Sequence, residues 1–384
     1  MDIKPFTVSL RPAVLDDLRE RLENTRWPDE VSGAGWDYGA NLGFMRSLVD
    51  YWHEDFDWPA QERALNAFQH FQAEIDGWGI HFIHVRGRGP KPMPLIITHG
   101  WPSSFVEMLK LIPLLADPGA HGGDPADAFD VVAPSLPGFG FSQARTVRGP
   151  ALAHQIWQRL MVEGLGYPRF AAQGGDIGAR VTTALGRFYP ENVIGLHLST
   201  MDLDWPTLLP DESELSEAEK DYLRRVKDWE DAEGGYSHIQ GTRPQTLAYG
   251  LNDSPVGLAA WMVEKWRAWS DCGGDLENSF SLDDLLTNIT LYWATQTINS
   301  SMRYYYEQRH APEPAQLRLV ERVQAPTAVA QFPAEKDLLV PREWAARSYN
   351  LQRWTDMPRG GHFAALEQPE LLADDIRAFF RSLR

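Results

Sequence analysis

The residues able to do chemistry fall in three short motifs of this 384-residue sequence. Gly174-Gly175-Asp176-Ile177-Gly178 joins an apolar segment, Phe170 to Gln173, to a segment of helical spacing that runs from Gly178 to Phe188. Small residues two before and two after the central position let a chain turn sharply from strand to helix. The side chain between them is held exposed and strained, at a place where a serine usually stands. A carboxylate there needs no base to deprotonate it at neutral pH and can attack carbon directly. The plainer alternative is a Gly-rich turn whose Asp176 caps the helix. His99-Gly100-Trp101-Pro102 closes an earlier apolar segment. An elbow nucleophile is served by two backbone N–H groups, one from the next residue and one from such a loop, here the amides of Ile177 and Trp101. Gly360-Gly361-His362-Phe363 places a histidine on a late loop, where it can act as a general base. The chain order nucleophile, acid, histidine puts the acid after a preceding strand, and Glu335 and Asp337 both qualify. His84, His154 and His238 read as structural.

Several elements must position these groups. Ile80 and Phe82 alternate with polar residues, and Pro94 to Thr98, Phe129 to Ala133, Phe170 to Gln173 and Val193 to Leu198 read as short buried strands. Helical spacing over Ser104 to Ala116, Ala151 to Leu165 and Gly178 to Phe188 separates them. That alternation predicts an α/β fold: a mostly parallel, doubly wound sheet with its ligand site at the carboxyl ends of the strands. Residues 201–320 are rich in helix formers and carry no clear strand, as an inserted helical cap would. The sheet pattern resumes at Pro326 to Phe332, and a helix from about Glu370 to Leu383 ends the chain. The first 75 residues look like a helical lead-in around Val14, Leu15, Leu18 and Leu22. A loop-rich stretch with Trp27, Trp36, Trp52 and Trp58 follows, tryptophans that would pin an arm onto the core. The expected organisation is an arm over 1–78, core over 79–200, cap over 201–320 and core again over 321–384.

Composition narrows the class. Thirty-six Lys and Arg against 53 Asp and Glu give a net charge of −17, which repels phosphate backbones and anionic lipid. The single cysteine, Cys272, forms no internal disulfide and no multi-thiolate site, as suits a reducing cytoplasm. No basic stretch with an apolar core opens the chain, and no apolar run reaches the roughly 18–20 residues that span a bilayer. A soluble, cytoplasmic protein is expected. No His-Glu-x-x-His and no phosphate loop asks for a metal or an organic cofactor.

At this level the sequence resembles the microsomal-type epoxide hydrolases, a branch of the α/β-hydrolase fold with an N-terminal arm. The resemblance rests on Leu15-Asp16-Asp17-Leu18-Arg19, Thr25-Arg26-Trp27-Pro28, His99 to Pro102, Pro134 to Ser142, Leu251 to Ala260 and Gly360 to Phe363. It implies Asp176 as nucleophile, His362 as base and Glu335, in Phe332-Pro333-Ala334-Glu335, as the acid. It further implies that Tyr236 and Tyr305 hold the epoxide oxygen. Three consecutive tyrosines, Tyr304 to Tyr306, point about 100° apart on a helix, so one of them faces the pocket. The family commonly has Trp after the nucleophile and this chain has Ile177, which keeps the amide and changes the pocket floor.

The expected reaction opens an epoxide on Asp176, then hydrolyses the alkyl ester with water activated by His362, giving a vicinal diol. Water and a small epoxide, aromatic or bulky and apolar, are the expected partners, with a homodimer allowed, no nucleic acid and no membrane anchor. Detoxification, catabolism and natural-product synthesis all suit such an enzyme. A haloalkane dehalogenase shares the Asp and His, but Ile177 offers no side-chain donor for a halide. A serine esterase lacks its serine, and a non-catalytic receptor would be free to lose one of Asp176, Glu335 and His362. The fifteen tryptophans then divide among the arm, Trp101, and a cap set of Trp205, Trp229, Trp261, Trp266 and Trp269.

Overall fold

Met93-Pro94-Leu95-Ile96-Ile97-Thr98 and Phe129-Asp130-Val131-Val132-Ala133-Pro134 are apolar toward both faces. In a computed structural model of the chain they pair in parallel at the centre of a nine-stranded sheet. The structure describes residues 1–144, 146, 149, 151–201, 215–311, 322–335 and 337–384; Trp205 lies outside them. The strands are β1 Ile3–Phe6, β2 His70–Ile75, β3 Trp78–Val85, β4 Met93–Thr98, β5 Phe129–Pro134, β6 Phe170–Gly174, β7 Val193–Leu198, β8 Val323–Gln331 and β9 Tyr349–Asp356. Their order is β1-β2-β3-β5-β4-β6-β7-β8-β9. From β5 to β9 every neighbouring pair is parallel, while β1, β2 and β3 join antiparallel. The chain leaves β4 for β5 on one side and reaches β6 on the other, so the strand order reverses between β4 and β6. Ligands bind at such a switch point.

The helices of the core are α4 Leu111–Ala116, α5 Ala153–Arg159, α6 Ile177–Phe188, α13 Arg342–Ser348, α14 Ala364–Glu367 and α15 Pro369–Phe380. Alternate strand residues bury on opposite faces of the sheet. Ile96, Val132, Ala172 and Leu196 pack with Trp157 and Leu185 of α5 and α6. Leu95, Ile97, Val131 and Ala171 pack with Leu111, Leu372 and Phe379 of α4 and α15. Between β7 and β8 the described residues form α7 Glu217–Glu233, α8 Gly235–Thr242, α9 Pro244–Leu251, α10 Pro255–Trp269, α11 Leu282–Thr295 and α12 Ile298–Arg309. Before the sheet come α1 Pro12–Glu23, α2 Leu42–Glu54 and α3 Trp58–Leu65. These ride on the inserted helices: Trp52 Nε1 donates to Thr290 Oγ1 at 3.0 Å, and Arg21 pairs with Asp253 at 2.8 Å.

Four details differ from the sequence expectation. The lead-in contributes β1 and β2 to the sheet; β1 is a four-residue edge strand holding Pro5, too short and too polar to announce itself. Trp52 and Trp58 lie in α2 and at the start of α3, both of which read as loop in the sequence. The span Ser104 to Ala116 is one 3₁₀ turn, Phe105–Met108, followed by α4. Pro113 accounts for the break, because its ring must fall in the first turn of a helix. Finally, β9 (Tyr-Asn-Leu-Gln-Arg-Trp-Thr-Asp) is a half-exposed edge whose polar alternation lacks an apolar run.

Candidate active site

Gly174 at the end of β6 lies in register with Thr98 at the end of β4, so the residues after these two strands emerge side by side. Asp176 follows with φ 50° and ψ −129°, a backbone that costs a non-glycine residue of order 1–3 kcal/mol. The return is geometric. Asp176 Oδ1 accepts from the amides of Trp101 at 2.9 Å and Ile177 at 2.6 Å. Gly100 is required beside it, since a Cβ there would overlap the Asp176 carboxylate. The Trp101–Pro102 peptide is cis. Its loop is held from α11, where Asn288 Nδ2 donates to the Pro102 carbonyl at 2.9 Å and Tyr292 OH to that of Ser103 at 2.6 Å. The His99 ring accepts from the Leu136 amide at 3.1 Å and meets the Gly100 carbonyl at 3.0 Å. Burial pushes its pKa down to about 4, so it is a neutral brace for the loop.

His362 Nε2 stands 3.3 Å from Asp176 Oδ2, and His362 Nδ1 is 2.5 Å from Glu335 Oε1. Glu335 lies just past β8, and its Oε2 is 3.5 Å from Thr200 Oγ1. The histidine loop is pinned to the inserted helices. The His362 amide donates to the Trp269 carbonyl at 2.9 Å, filling an acceptor that the end of α10 leaves open. The Gly360 amide donates to Asp271 at 2.8 Å, and Glu367 accepts from the amides of Asp271 and Phe363.

These contacts decide the charges. Burial alone would raise Asp176, but the His362 bond and charge, with the two amides, hold its carboxyl below the ordinary aspartate range. Burial works against a charge on His362 as well, yet Glu335 and Asp176 together raise it well above the ordinary histidine value. The His362 ring lies between the carboxyl groups of Glu335 and Asp176, and both favour its protonated form.

Aromatic rings from the inserted helices gather around the Trp101 indole. Tyr236, in the first turn of α8, lies parallel to the Trp101 indole at 5.2 Å and 5°. Tyr305 of α12 meets Trp101 and Tyr236 edge-on, each at 6.0 Å. Of the three tyrosines, Tyr305 meets the Trp101 ring, Tyr306 stacks on His310, and Tyr304 is buried with its ring edge-on to Tyr305. Ile177, the first residue of α6, contributes its amide, while its side chain is buried in the core. Asp337 shows no bond to His362, whose Nδ1 is taken by Glu335.

Three groups at the site had no signal of their own in the sequence. Glu107, four residues beyond Ser103, lines a small cavity with Thr98, Ser199, Asp176 and His362. Burial raises its carboxyl to about 7, against the Ser103 hydroxyl bond. Trp269, ending α10, packs on His362 at 5.1 Å and on Tyr236 at 5.1 Å. Lys265, one turn earlier, is almost buried and sets its ammonium 5.3 Å from the centre of the Tyr236 ring. Each sits on an otherwise ordinary helix or turn, so only the folded chain brings Glu107 beside Asp176, Trp269 onto His362 and Lys265 against Tyr236.

Known proteins match this chain along its whole length. Residues 3–108 match the family described as epoxide hydrolase N terminus, and residues 93–233 match the alpha/beta hydrolase fold. Epoxide hydrolase 1 of Oryctolagus cuniculus is 40% identical over 405 residues, covering 98% of this chain and 88% of that protein. The juvenile hormone epoxide hydrolase structure from the silkworm Bombyx mori covers 100% of this chain and 94% of its own, with a TM-score of 0.83 and 31% identity. An Aspergillus niger epoxide hydrolase structure superposes with a TM-score of 0.85 at 30% identity, covering 100% and 97%. Among the described residues, no helix is long and apolar enough to cross a membrane. The chain therefore belongs to the epoxide hydrolase family, enzymes built on the α/β-hydrolase fold.

Proposed function

We propose that this enzyme hydrolyses an aromatic or bulky apolar epoxide to a vicinal diol through an ester on Asp176. The observation that carries this reading is the division of labour on one carboxylate. Oδ1 is already held by two backbone amides, Oδ2 faces His362, and the rings of Tyr236 and Tyr305 pack against the Trp101 indole, whose own amide is one of those two donors. Oδ2 attacks an epoxide carbon, its C–O bond breaks, and the departing oxygen takes a proton from a tyrosine hydroxyl. Such donors matter because an alkoxide leaves poorly where water is excluded.

Esterification removes the negative charge of Asp176, and with it part of what keeps His362 protonated. His362 gives up that proton, which restores the tyrosine, and becomes a neutral base still oriented by Glu335. It then takes a proton from water, and the hydroxide attacks the ester carbonyl. The negative charge that develops lies on Oδ1, between the amides of Trp101 and Ile177, a donor pair whose single loss costs about 3–4 kcal/mol in comparable sites. Collapse expels the diol and returns Asp176 as a carboxylate and His362 as an imidazolium. The inserted helices α7 to α12 serve as the cap that supplies the tyrosines, and the segment 1–78 serves as the arm that steadies it. The aromatic lining of Trp101, Trp269, Tyr236 and Tyr305 favours a substrate with a flat or bulky apolar group.

The test is diol formation from styrene oxide by the parent and two variants. Asp176→Asn abolishes turnover, and His362→Gln accumulates a protein adduct of the mass of one substrate. Turnover by Asp176→Asn, or no adduct on His362→Gln, contradicts the reading.

A further inference from the structure

We infer that Lys265 is a positioning and polarising residue for the first half-reaction, acting through the ring of Tyr236. This rests on the reading of Tyr236 as a donor to the departing oxygen. Lys265 leaves α10 with its side chain only 9% exposed. Its ammonium is bonded to Glu233, at the end of α7, at 3.1 Å and to Glu264 at 2.8 Å. The same ammonium lies 5.3 Å from the centre of the Tyr236 ring and 5.9 Å from that of Trp269. Burying an ammonium is costly unless it is paired, and a hydrophobic residue of similar volume would often pack there at no loss. The two carboxylates fix the charge against the ring that carries the donor hydroxyl.

A cation against the π face of a phenol draws electron density out of the ring and away from the hydroxyl oxygen. The O–H bond becomes more polar and donates a stronger hydrogen bond. Negative charge that builds on the phenol oxygen as the proton moves meets a positive charge already in place, with no reorganisation at the moment of reaction. That benefit exists only while the epoxide C–O bond breaks. Ester hydrolysis, run by His362 and the two amides, draws nothing from it. Lys265 touches neither the substrate nor the reacting atoms, so its signature is a split between the two steps.

The experiment is stopped-flow kinetics on styrene oxide, resolving alkylation from ester hydrolysis. It is run for the parent, Lys265→Met, Lys265→Arg, Tyr236→Phe and the Lys265→Met/Tyr236→Phe pair, with thermal melts of each. Lys265→Met slows alkylation by about tenfold, the scale of one desolvated cation–π contact, and leaves hydrolysis within about twofold. Lys265→Arg restores most of the alkylation rate, since the charge is kept. In the Tyr236→Phe background, Lys265→Met has no further effect on alkylation. A Lys265→Met variant that slows both steps equally, slows neither, or is additive with Tyr236→Phe overturns the inference and leaves the donor role of Tyr236 standing. Undiminished alkylation by Tyr236→Phe alone removes that donor role, and the inference with it.

Discussion

Replacing Gly178 with alanine adds one methyl group where the first turn of α6 crosses the end of β4. Its carbon would stand 2.6 Å from the Thr98 carbonyl carbon and 3.1 Å from the His99 oxygen, and would overlap the Thr98 oxygen outright. The first of these is 0.8 Å inside the 3.4 Å at which ordinary contact begins. Both partners are backbone at the carboxyl end of the central strand β4, so relief must come from α6 moving outward. That movement carries Ile177 and Asp176 with it, drawing the Ile177 amide and the carboxylate away from the Trp101 amide. Overpacking of this kind costs typically 1–3 kcal/mol. A displacement approaching 1 Å at the reacting group, here the Asp176 carboxylate on the reading proposed above, costs about 10²-fold in rate. Gly178→Ala is therefore expected to lose about two orders of magnitude in kcat on styrene oxide and to unfold at lower guanidinium concentration. Gly250→Ala is the control, because a Cβ at that position in α9 meets nothing within 4 Å. It should leave activity intact and stabilise by about 0.4–1 kcal/mol. A Gly178→Ala protein with parental kcat and parental midpoint would refute the close approach of α6 to β4.

Other perturbations follow from the charges. Glu335→Gln removes the largest contribution holding the proton on His362 and lets the ring reorient, so ester hydrolysis slows by up to about 10⁴-fold while alkylation changes far less; rapid-quench kinetics separates the steps. The sign of the stability effect is also fixed. With the folded value of His362 raised, that proton's contribution is full below about pH 6.5 and fades as pH rises through the folded value, so the stability gap between parent and Glu335→Gln narrows at alkaline pH. His154, stacked on Phe188 and pushed down to about 4 by burial, behaves in the opposite sense. It stays neutral in the fold while the unfolded chain takes up a proton near pH 6.5, so it destabilises as pH falls. His154→Phe should gain about 2 kcal/mol on the parent between pH 7 and pH 5 in guanidinium titrations, and a constant difference would contradict the buried neutral ring.

The parallel strands were legible because each is an apolar run bounded by glycine or a polar turn, as in β4 and β6. Asp176, Trp101 and His362 were legible for a related reason: their turns need glycine at set offsets, and Gly100, Gly174 and Gly361 stand there. Glu335 was one of two candidates by position, and the Nδ1 contact of His362 falls to it. Less was visible where packing, not local pattern, decides. β9 is half-exposed, β1 is held by pairing with β2, and the helices of the lead-in take their order from contacts with α10 and α11. Lys265 and Glu107 belong to the site only through the crossing of distant elements. A buried lysine on a helix rich in tryptophan carries no mark in the sequence to separate it from a solvated one.

The most direct measurement is a single turnover in heavy-oxygen water with enzyme in excess over styrene oxide, followed by mass spectrometry of the peptide containing Asp176 and of the diol. Attack of water on the ester carbonyl puts the label into the Asp176 carboxylate and leaves the first-turnover diol unlabelled. Label in the diol alone, with none on Asp176, would mean that water opens the epoxide directly and that no ester forms.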